Sequence, residues 1–335
     1  MTDRLPEAER ANLVALLRGL SPRNLSIERP ALPAALAGLV GRDPPRLPRA
    51  LLFDVYGTLI ASGAGGEPLA MSGPLTPEGG RARVLLETGL SEAGFPEGAE
   101  AFSAAVAAAI ESANAEARKT RPFPEVDIRR ILAGLLTDAD DPLLRHLAIL
   151  LECWRNPCAP MPGAGGLLSA LAEAGIPHGL VSNAQFYTPL LLEALFGPAS
   201  GQASGATAGA TPGATDGLAG QAGISAELSL FSYRLGFAKP DTAIFERAAD
   251  LLAEAGIESR DALMVGNSAA NDVAPAKARG FMTALLARDA RSFKPPEWSE
   301  AVGPEAAGSE ATPDIVLTDL TDIALIAGIA GAGRY

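Results

Sequence analysis

One decapeptide organises this chain: Ala50-Leu51-Leu52-Phe53-Asp54-Val55-Tyr56-Gly57-Thr58-Leu59. Its first four residues are apolar, too few for a helix, and they predict a buried strand of the parallel type. The run ends at Asp54, and Gly57-Thr58 follows as a turn signal. In open α/β sheets ligands bind beyond the carboxyl ends of the strands, and a glycine there lets the backbone approach the ligand closely. Asp54 is therefore a candidate nucleophile or metal ligand.

The composition limits the partners of the protein. The chain has 335 residues, enough for one large or two ordinary domains, and a hydrophobic content of 48% supports a sizeable core. With 27 basic and 39 acidic residues, the formal charge is −12. Nucleic acids and anionic membranes need a basic footprint, so we expect neither as a partner. The sequence has no run of about eighteen apolar residues, and it therefore predicts no membrane span.

The two cysteines, Cys153 and Cys158, are too few for a disulfide framework, and their spacing lacks the second pair or the histidines of a zinc site. We interpret them as reduced thiols. The first residues contain no apolar core of the signal-peptide type. These features predict a cytoplasmic protein and leave its oligomeric state open.

Two segments differ in composition from the rest of the chain. Residues 1–47 form an N-terminal extension with helical periodicity at 9–20 and 31–39. It is either a docking or dimerisation arm or a loosely packed terminal decoration, and its terminal position favours the second interpretation. Residues 199–226 are mostly small or polar, so they cannot bury enough apolar surface to offset the entropy of ordering. We predict a disordered insert there.

An all-helical insert of about ninety residues follows the first strand, because helical periodicity recurs without a strand-like run. The predicted helices are at 80–93, 99–119, 126–137 and 142–154. Three glycines in the loop before them are candidate hinges, namely Gly63, Gly65 and Gly66. Residues 121–130 combine prolines, an aromatic ring and charges of both signs, which suits a specificity loop in which Arg129 contacts the substrate. The same residues also suit a plain helix entry.

The second half returns to alternating strands and helices, with polar residues where apolar runs end. A strand at 178–181 leads into Ser182-Asn183, whose hydroxyl and amide can bind an anionic oxygen. Lys239-Pro240 lies between an apolar segment and a predicted helix at 242–255. A strand at 262–265 leads into Gly266-Asn267-Ser268-Ala269-Ala270-Asn271-Asp272. Apolar runs at 281–286 and 315–317 complete a predicted sheet of five or six strands.

These four sites together resemble the motifs of the haloacid dehalogenase (HAD) superfamily, in the order of that family. The segment 54–58 resembles motif I, Ser182 motif II and Lys239-Pro240 motif III, and 266–272 resembles the phosphatase form of motif IV, Gly-Asp-Ser-x-x-Asn-Asp. The resemblance covers about residues 49–325. It implies an α/β fold with a Rossmann-like core, in which helices flank a parallel sheet built from 48–62 and 160–335. The insert at 63–159 would be a helical C1-type cap that closes over the site and excludes water.

The resemblance also implies roles for individual residues. The catalytic residues would be Asp54 as nucleophile and Thr58, Ser182 and Lys239 as groups that orient and neutralise the transferred group. Mg²⁺ would be held by Asp54, the backbone carbonyl of Tyr56, Asn267 and Asp272. The expected substrate contacts are Tyr56, Gly57, Asn183 and Arg129.

Two departures from the phosphatase pattern bear on the reaction. Tyr56 stands where HAD phosphatases carry an aspartate that acts as general acid and base, and tyrosine, with a pKa of about 10, cannot easily replace it near neutral pH. Asp-x-Tyr-Gly-Thr is instead the form of L-2-haloacid dehalogenases, whose halide leaves without a proton. Asn267 replaces a second aspartate and brings one negative charge less, so we expect weaker Mg²⁺ binding.

Other features speak against a dehalogenase. Phe245 stands where those enzymes carry a tyrosine, and motif IV is longer by one residue than theirs. An arginine that grips the substrate carboxylate has no clear counterpart, although Arg81 and Arg83 are candidates. We therefore predict a hydrolase, specifically a Mg²⁺-dependent phosphatase of a small phosphorylated metabolite. The alternatives are a 2-haloacid dehalogenase-like hydrolase and a catalytically impaired binding protein. The charges of Asp54, Lys239 and Asp272 disfavour the binding protein, because such charges clustered in a crevice cost stability and have no use in a pure scaffold.

Overall fold

The computed structural model describes residues 5–65, 76–197, 223–297 and 312–329. Eight strands occur in these ranges. They are β1 (Ala50–Phe53), β2 (Ile60–Ser62), β3 (Cys158–Pro160), β4 (His178–Ser182), β5 (Leu230–Phe231), β6 (Ala262–Gly266), β7 (Met282–Leu286) and β8 (Ile315–Leu317).

Six of these strands form one parallel sheet in the order β5-β4-β1-β6-β7-β8. In β1, Leu51 lies opposite His178 on one side and opposite Leu263 on the other. All four residues of β1 are buried, because the strand is central and its sheet is covered on both faces. The predicted parallel sheet flanked by helices is confirmed, and Asp54 comes directly after its central strand.

Twelve α-helices accompany the strands in the described ranges. They are α1 (Glu7–Leu20), α2 (Ala34–Ala37), α3 (Pro77–Glu92), α4 (Ala99–Ala117), α5 (Ile128–Leu135), α6 (Asp141–Arg155), α7 (Ala164–Glu173), α8 (Thr188–Phe196), α9 (Ser232–Leu235), α10 (Ala243–Glu254), α11 (Ala274–Lys277) and α12 (Asp322–Ile326). The four helices predicted in the insert correspond to α3–α6. The sequence interpretation missed α8, whose continuous apolar run lacks a polar face that would signal a helix.

A two-stranded ribbon joins the helical insert to the sheet domain. β2 and β3 pair antiparallel, with Ala61 opposite Ala159, and α3–α6 lie between them in the chain. Ribbon strands of three residues are too short to show a period in the sequence, so they were missed. The antiparallel pairing brings both ends of the insert to one place beside β1, and the four helices thus form an inserted cap.

The N-terminal extension is not the loosely packed decoration that its terminal position favours. α1 buries four apolar side chains, Leu13, Val14, Leu17 and Leu20, each 5% exposed or less. Arg10 of α1 forms an ion pair with Glu193 of α8. Glu9 accepts a hydrogen bond at 2.7 Å from Arg145 of α6. The helix therefore packs on both the core and the cap of its own chain, since its apolar stripe continues their hydrophobic core.

Some predicted features lie outside the described residues, including Gly66 and most of the 199–226 insert. The predicted C-terminal end of that insert is wrong, because Ile224 is buried at 3% exposure and Ser225 N donates to His178 O. Cys153 and Cys158 are both buried free thiols. Within the described ranges, the helices are too short or too polar to cross a membrane.

Candidate active site

The predicted motif residues meet at the carboxyl edge of the sheet. Asp54 follows β1, Ser182 ends β4, and Asn267 follows β6, and these three strands are neighbours. The backbone N–H of Asp54 donates to Val265 O at 2.9 Å, which continues the pairing of β1 with β6. This arrangement follows from the parallel sheet, in which strand ends of one direction share an edge.

Lys239 joins the two buried carboxylates of the site. Its Nζ donates to Asp54 Oδ1 at 2.7 Å, to Asp272 Oδ1 at 2.6 Å and to Val181 O at 2.8 Å. Lys239 is only 5% exposed, so all three ammonium protons are used by protein oxygens. The cation therefore lies between the two anions and holds them in one position.

The carboxylates are not fully compensated by this single cation. Burial, with a contribution from the charge of Asp272, raises the pKa of Asp54 from 3.8 to about 6, although Lys239 opposes the rise. Burial by itself would lower the pKa of Lys239, but the attraction of Asp272 and Asp54 outweighs it and raises the pKa. At neutral pH we therefore expect Asp54 as an ionised carboxylate whose charge is poorly solvated, which suits a nucleophile.

Asp272 is fixed by the turn that follows β6. Its Oδ2 accepts a hydrogen bond from Ser268 N at 3.0 Å. A β-carbon on Gly266 would lie 2.3 Å from Asp272 Cγ, so only glycine lets this carboxylate fold back against the strand. The residues 269–273 form one turn of π-helix, which accommodates the longer spacing of this motif.

Asn267 is held by two partners on opposite sides. Its Oδ1 accepts from Thr58 Oγ1 at 3.1 Å, and its Nδ2 donates to Ser292 O. Gly57, with φ of +85°, makes this packing possible, because a β-carbon there would lie 2.5 Å from Ser292 Cβ and 2.7 Å from Asn267 Nδ2. Thr58 and Gly57 thus position the amide that stands in the place of an aspartate.

The hydroxyl of Tyr56 has a hydrogen-bond partner at the start of α8. It shares a 2.9 Å hydrogen bond with Thr188 Oγ1. Burial first, and then the charge of Glu152, raises the pKa of Tyr56 well above 10. The phenol therefore stays protonated at neutral pH and is a weak acid, as the sequence comparison with phosphatases predicted.

A Mg²⁺ ion would meet a mixed set of oxygen ligands here. The cleft is lined by Asp54, Tyr56, Asn267 and Asp272, which offer the hard oxygen donors that Mg²⁺ prefers. Burial and the neighbouring charge of Asp272 raise the pKa of Asp54, so a bound cation would favour its ionised form. Within the described ranges, however, no three His, Cys, Asp or Glu side chains form a metal-binding group. The residues thus fit Mg²⁺ as two carboxylates, an amide and a carbonyl, which is a weaker set than three carboxylates.

The remaining predicted residues have different positions. Asn183 lines the cleft and clamps the backbone of Lys239, since its Nδ2 donates to Lys239 O at 3.0 Å and its Oδ1 accepts from Lys239 N at 2.7 Å. Ser182 is fully buried, and its hydroxyl donates to Asn183 O at 3.3 Å. Arg129 is 4% exposed and forms a bidentate ion pair with Asp127 at the start of α5. The structure thus brings Asn183 to the cleft, whereas Arg129 is not among the residues that line it.

Five residues that line the cleft were not among the predicted site residues, namely Gly65, Ser268, Asn271, Ser292 and Lys294. Lys294 lies on the loop after β7, and its backbone is tied to the motif IV turn, because Lys294 N donates to Asn267 O at 2.9 Å and Ala269 N donates to Lys294 O at 2.8 Å. A lone lysine far along the chain from every motif carries no sequence signal. The loop brings a second cation to a cleft of only about 70 Å³.

The site therefore consists of a buried carboxylate at the carboxyl end of a central parallel strand, paired with a lysine, in a chain that carries an inserted helical cap. The family model of haloacid dehalogenase-like hydrolases matches residues 48–280, and the chain belongs to this family. No curated protein matches the chain.

Several solved structures are similar in fold. A 2-haloacid dehalogenase from Pseudomonas syringae is 17% identical with a TM-score of 0.46, over 83% of this chain and 97% of the other. A HAD phosphatase from Thermococcus onnurineus is 18% identical with a TM-score of 0.45, over 85% and 99%. The putative HAD hydrolase YfnB from Bacillus subtilis, solved with magnesium, is 18% identical with a TM-score of 0.45, over 85% and 100%. At these TM-scores the similarities do not decide between phosphatase and dehalogenase chemistry.

Proposed function

We propose that this hydrolase cleaves the phosphate ester of a small metabolite, with Asp54 as the nucleophile. The observation that supports the proposal is the set of polar groups in the cleft, where Lys294 and the amide of Asn271 lie beside the cluster of Asp54, Lys239 and Asp272. A volume of about 70 Å³ suits a compact anion such as a phosphoryl group. Cations and amide donors around a small anion provide the electrostatic stabilisation that phosphoryl transfer needs.

In this reaction the free carboxylate oxygen of Asp54 attacks phosphorus, and the bond from phosphorus to the ester oxygen breaks. The departing alkoxide takes a proton from water, and a second water then hydrolyses the aspartyl phosphate to release phosphate and restore Asp54. Lys239 keeps Asp54 ionised and in line. Asp54, Asp272, Asn267 and the Tyr56 carbonyl would hold Mg²⁺, whose charge would screen the repulsion between carboxylate and phosphate.

Tyr56 has a specific consequence for this mechanism. Its protonated hydroxyl faces Thr188, so it does not serve as an acid for the departing oxygen. The rate should therefore depend strongly on how well the leaving group bears negative charge. We expect aryl or acyl phosphates to be hydrolysed much faster than alkyl phosphates.

The test is phosphate release from p-nitrophenyl phosphate and a panel of metabolite phosphates, with and without Mg²⁺. The controls are Asp54→Asn, which removes the nucleophile, and Glu97→Gln, which removes an exposed carboxylate far from the site. Release that needs both Asp54 and Mg²⁺ is the expected result. Absence of release at saturating substrate from every ester would refute the phosphatase.

A dehalogenase is the second candidate, because a halide leaves without the proton that Tyr56 does not provide. Two placements weaken it: Arg81 donates to Gly19 O at 3.0 Å, and Arg83 pairs with Glu87 at 3.2 Å. Neither arginine lines the cleft, where it could grip a substrate carboxylate. Chloride release from 2-chloropropionate without phosphate release would favour this candidate, and silence in both assays would favour a binding protein.

A further inference from the structure

A second cavity, which we call the cap chamber, adjoins the cleft at Asp54. It has a volume of about 260 Å³ and shares Tyr56, Asn183 and Asn271 with the cleft. Its cap side is formed by Asn114 of α4, by Pro124 and Glu125 before α5, and by Glu152 and Asn156 at the end of α6. Because a group bound in the cleft continues into this space, the cap chamber is the place for the rest of a substrate.

The cap chamber differs from the cleft in its charged residues, because the cleft lining has two lysines beside its two aspartates. The described lining of the cap chamber contains two carboxyl groups, Glu125 and Glu152, and no lysine, arginine or histidine. The arginines of the neighbouring cap segment have other partners. Arg121 pairs with Asp241 at 3.0 Å and stacks on Phe237, and Arg129 pairs with Asp127.

The two carboxyl groups serve to orient neutral polar groups. Glu152 accepts from Tyr187 OH at 2.9 Å and from Asn156 Nδ2 at 2.8 Å. Glu125 accepts from Gln185 Nε2 at 3.1 Å and from Ser232 Oγ at 2.6 Å. All four carboxyl oxygens are thus used by the protein, and burial raises the pKa of both groups.

The remaining lining offers the amides of Asn114 and Asn271 to a ligand. Asn114 Oδ1 is buried without a hydrogen-bond partner among the described residues, which leaves an acceptor for a ligand hydroxyl. The amides of Asn183 and Gln185 also line the space, but they are used by the protein, on the backbone of Lys239 and on Glu125 and Val126. An amide can both donate and accept, which matches the hydroxyl group of an alcohol.

Resting on the proposed function, with the leaving group in the cap chamber, we infer that this leaving group is a hydroxyl-bearing chain without an anionic group. A carboxylate there would be buried without a cation, beside two carboxyl groups. The volume of about 260 Å³ equals about nine waters at ~30 Å³ each, which suits a polyol of three to six carbons.

The test compares esters that differ only at the far end from the phosphate. Glycerol 3-phosphate and 3-phosphoglycerate share a three-carbon skeleton, and the terminal hydroxymethyl group of the first is a carboxylate in the second. We expect kcat/KM for glycerol 3-phosphate to exceed that for 3-phosphoglycerate by about 100-fold or more, because the anion is buried uncompensated. Equal or better hydrolysis of 3-phosphoglycerate overturns the inference.

A charge-inserting variant checks that the cap chamber itself causes the preference. Asn114→Lys places a cation in the lining, and Asn114→Met is a control of similar length without charge. The lysine variant should reduce the preference against 3-phosphoglycerate at least about tenfold more than the methionine variant, which removes the same acceptor without adding a charge. A preference that is identical in both variants would show that the cap chamber does not receive the leaving group.

Binding measurements separate this inference from the proposed function. Calorimetry with the Asp54→Asn variant and Mg²⁺ compares inorganic phosphate, glycerol 3-phosphate and 3-phosphoglycerate without turnover. Tighter binding of glycerol 3-phosphate than of 3-phosphoglycerate supports the cap chamber even if the wild type releases no phosphate. Equal binding of the two esters overturns the inference while phosphate release by the wild type still supports the phosphatase.

Discussion

Replacing Asp54, the proposed nucleophile, should stabilise the folded protein at neutral pH, because folding buries its charged carboxylate. Burial raises its pKa from 3.8 to about 6, so the folded state binds the proton more tightly than the unfolded state. The ionised form is therefore disfavoured by folding. At about 1.4 kcal/mol per pH unit, this rise corresponds to about 3 kcal/mol of lost stability above pH 6.

The variant Asp54→Asn removes the charge and leaves Lys239 paired with Asp272 alone. The amide replaces the hydrogen bond of Asp54 with Lys239 imperfectly. We therefore expect the free energy of unfolding to rise by about 1 to 3 kcal/mol at pH 8, which corresponds to about 2 to 4 °C in Tm. The gain should shrink as pH falls from 6 toward 4, because Asp54 is then protonated in the folded wild type as well.

The assay is thermal unfolding of both proteins at pH 5 and pH 8, with a chelator that removes divalent cations. Glu97→Gln serves as the matched control, because that carboxyl is exposed and its loss should change Tm by less than about 1 °C. Excess Mg²⁺ should reduce the advantage of the variant, since only the wild type retains the full ligand set. A wild type as stable as Asp54→Asn at pH 8 without metal would refute the reasoning.

Three other predictions concern the site and the arm. Lys294→Gln should raise KM for p-nitrophenyl phosphate about tenfold, because one of the two cleft cations is lost, while the exposed Lys119→Gln should leave KM unchanged. Tyr56→Phe should keep kcat for p-nitrophenyl phosphate within about threefold in steady-state assays, and a loss above about a hundredfold would show that the hydroxyl acts in proton transfer. Leu17→Ala should lower the free energy of unfolding in urea by about 2 to 5 kcal/mol, because Leu17 is buried in the core. The exposed Val84→Ala is the control and should lower it by less than about 0.5 kcal/mol. Equal losses in the two variants would mean that α1 is detached.

The order of the motifs along the chain was sufficient to predict the architecture. Short apolar runs of four or five residues, each followed by a polar cluster, predict parallel strands whose carboxyl ends lie at the same edge of the sheet. The helical insert could also be predicted, because long segments with helical periodicity and no strand-like run are typical of helices. Local pattern and connectivity thus determine which residues gather at Asp54.

Short and unpatterned elements escaped this reasoning. The ribbon of β2 and β3 has three residues in each strand, and its pairing joins positions nearly a hundred residues apart. The packing of the N-terminal extension was predicted wrongly for a related reason, since the burial of Leu17 depends on apolar surfaces of α6 and α8. The terminal position of a segment does not indicate whether such surfaces exist.

By itself, the sequence determined the fold class and indicated that Asp54, Lys239 and Asp272 belong to one site, because those depend on residue type at strand ends. Only the tertiary structure decided which other groups surround the reaction. It placed Lys294 in the cleft, turned Arg129 onto Asp127, and built the cap chamber with its two carboxyl groups and no described cation. The physical reason is that side chains from loops and from the cap meet across long separations in sequence, and packing alone sets their distances and charges.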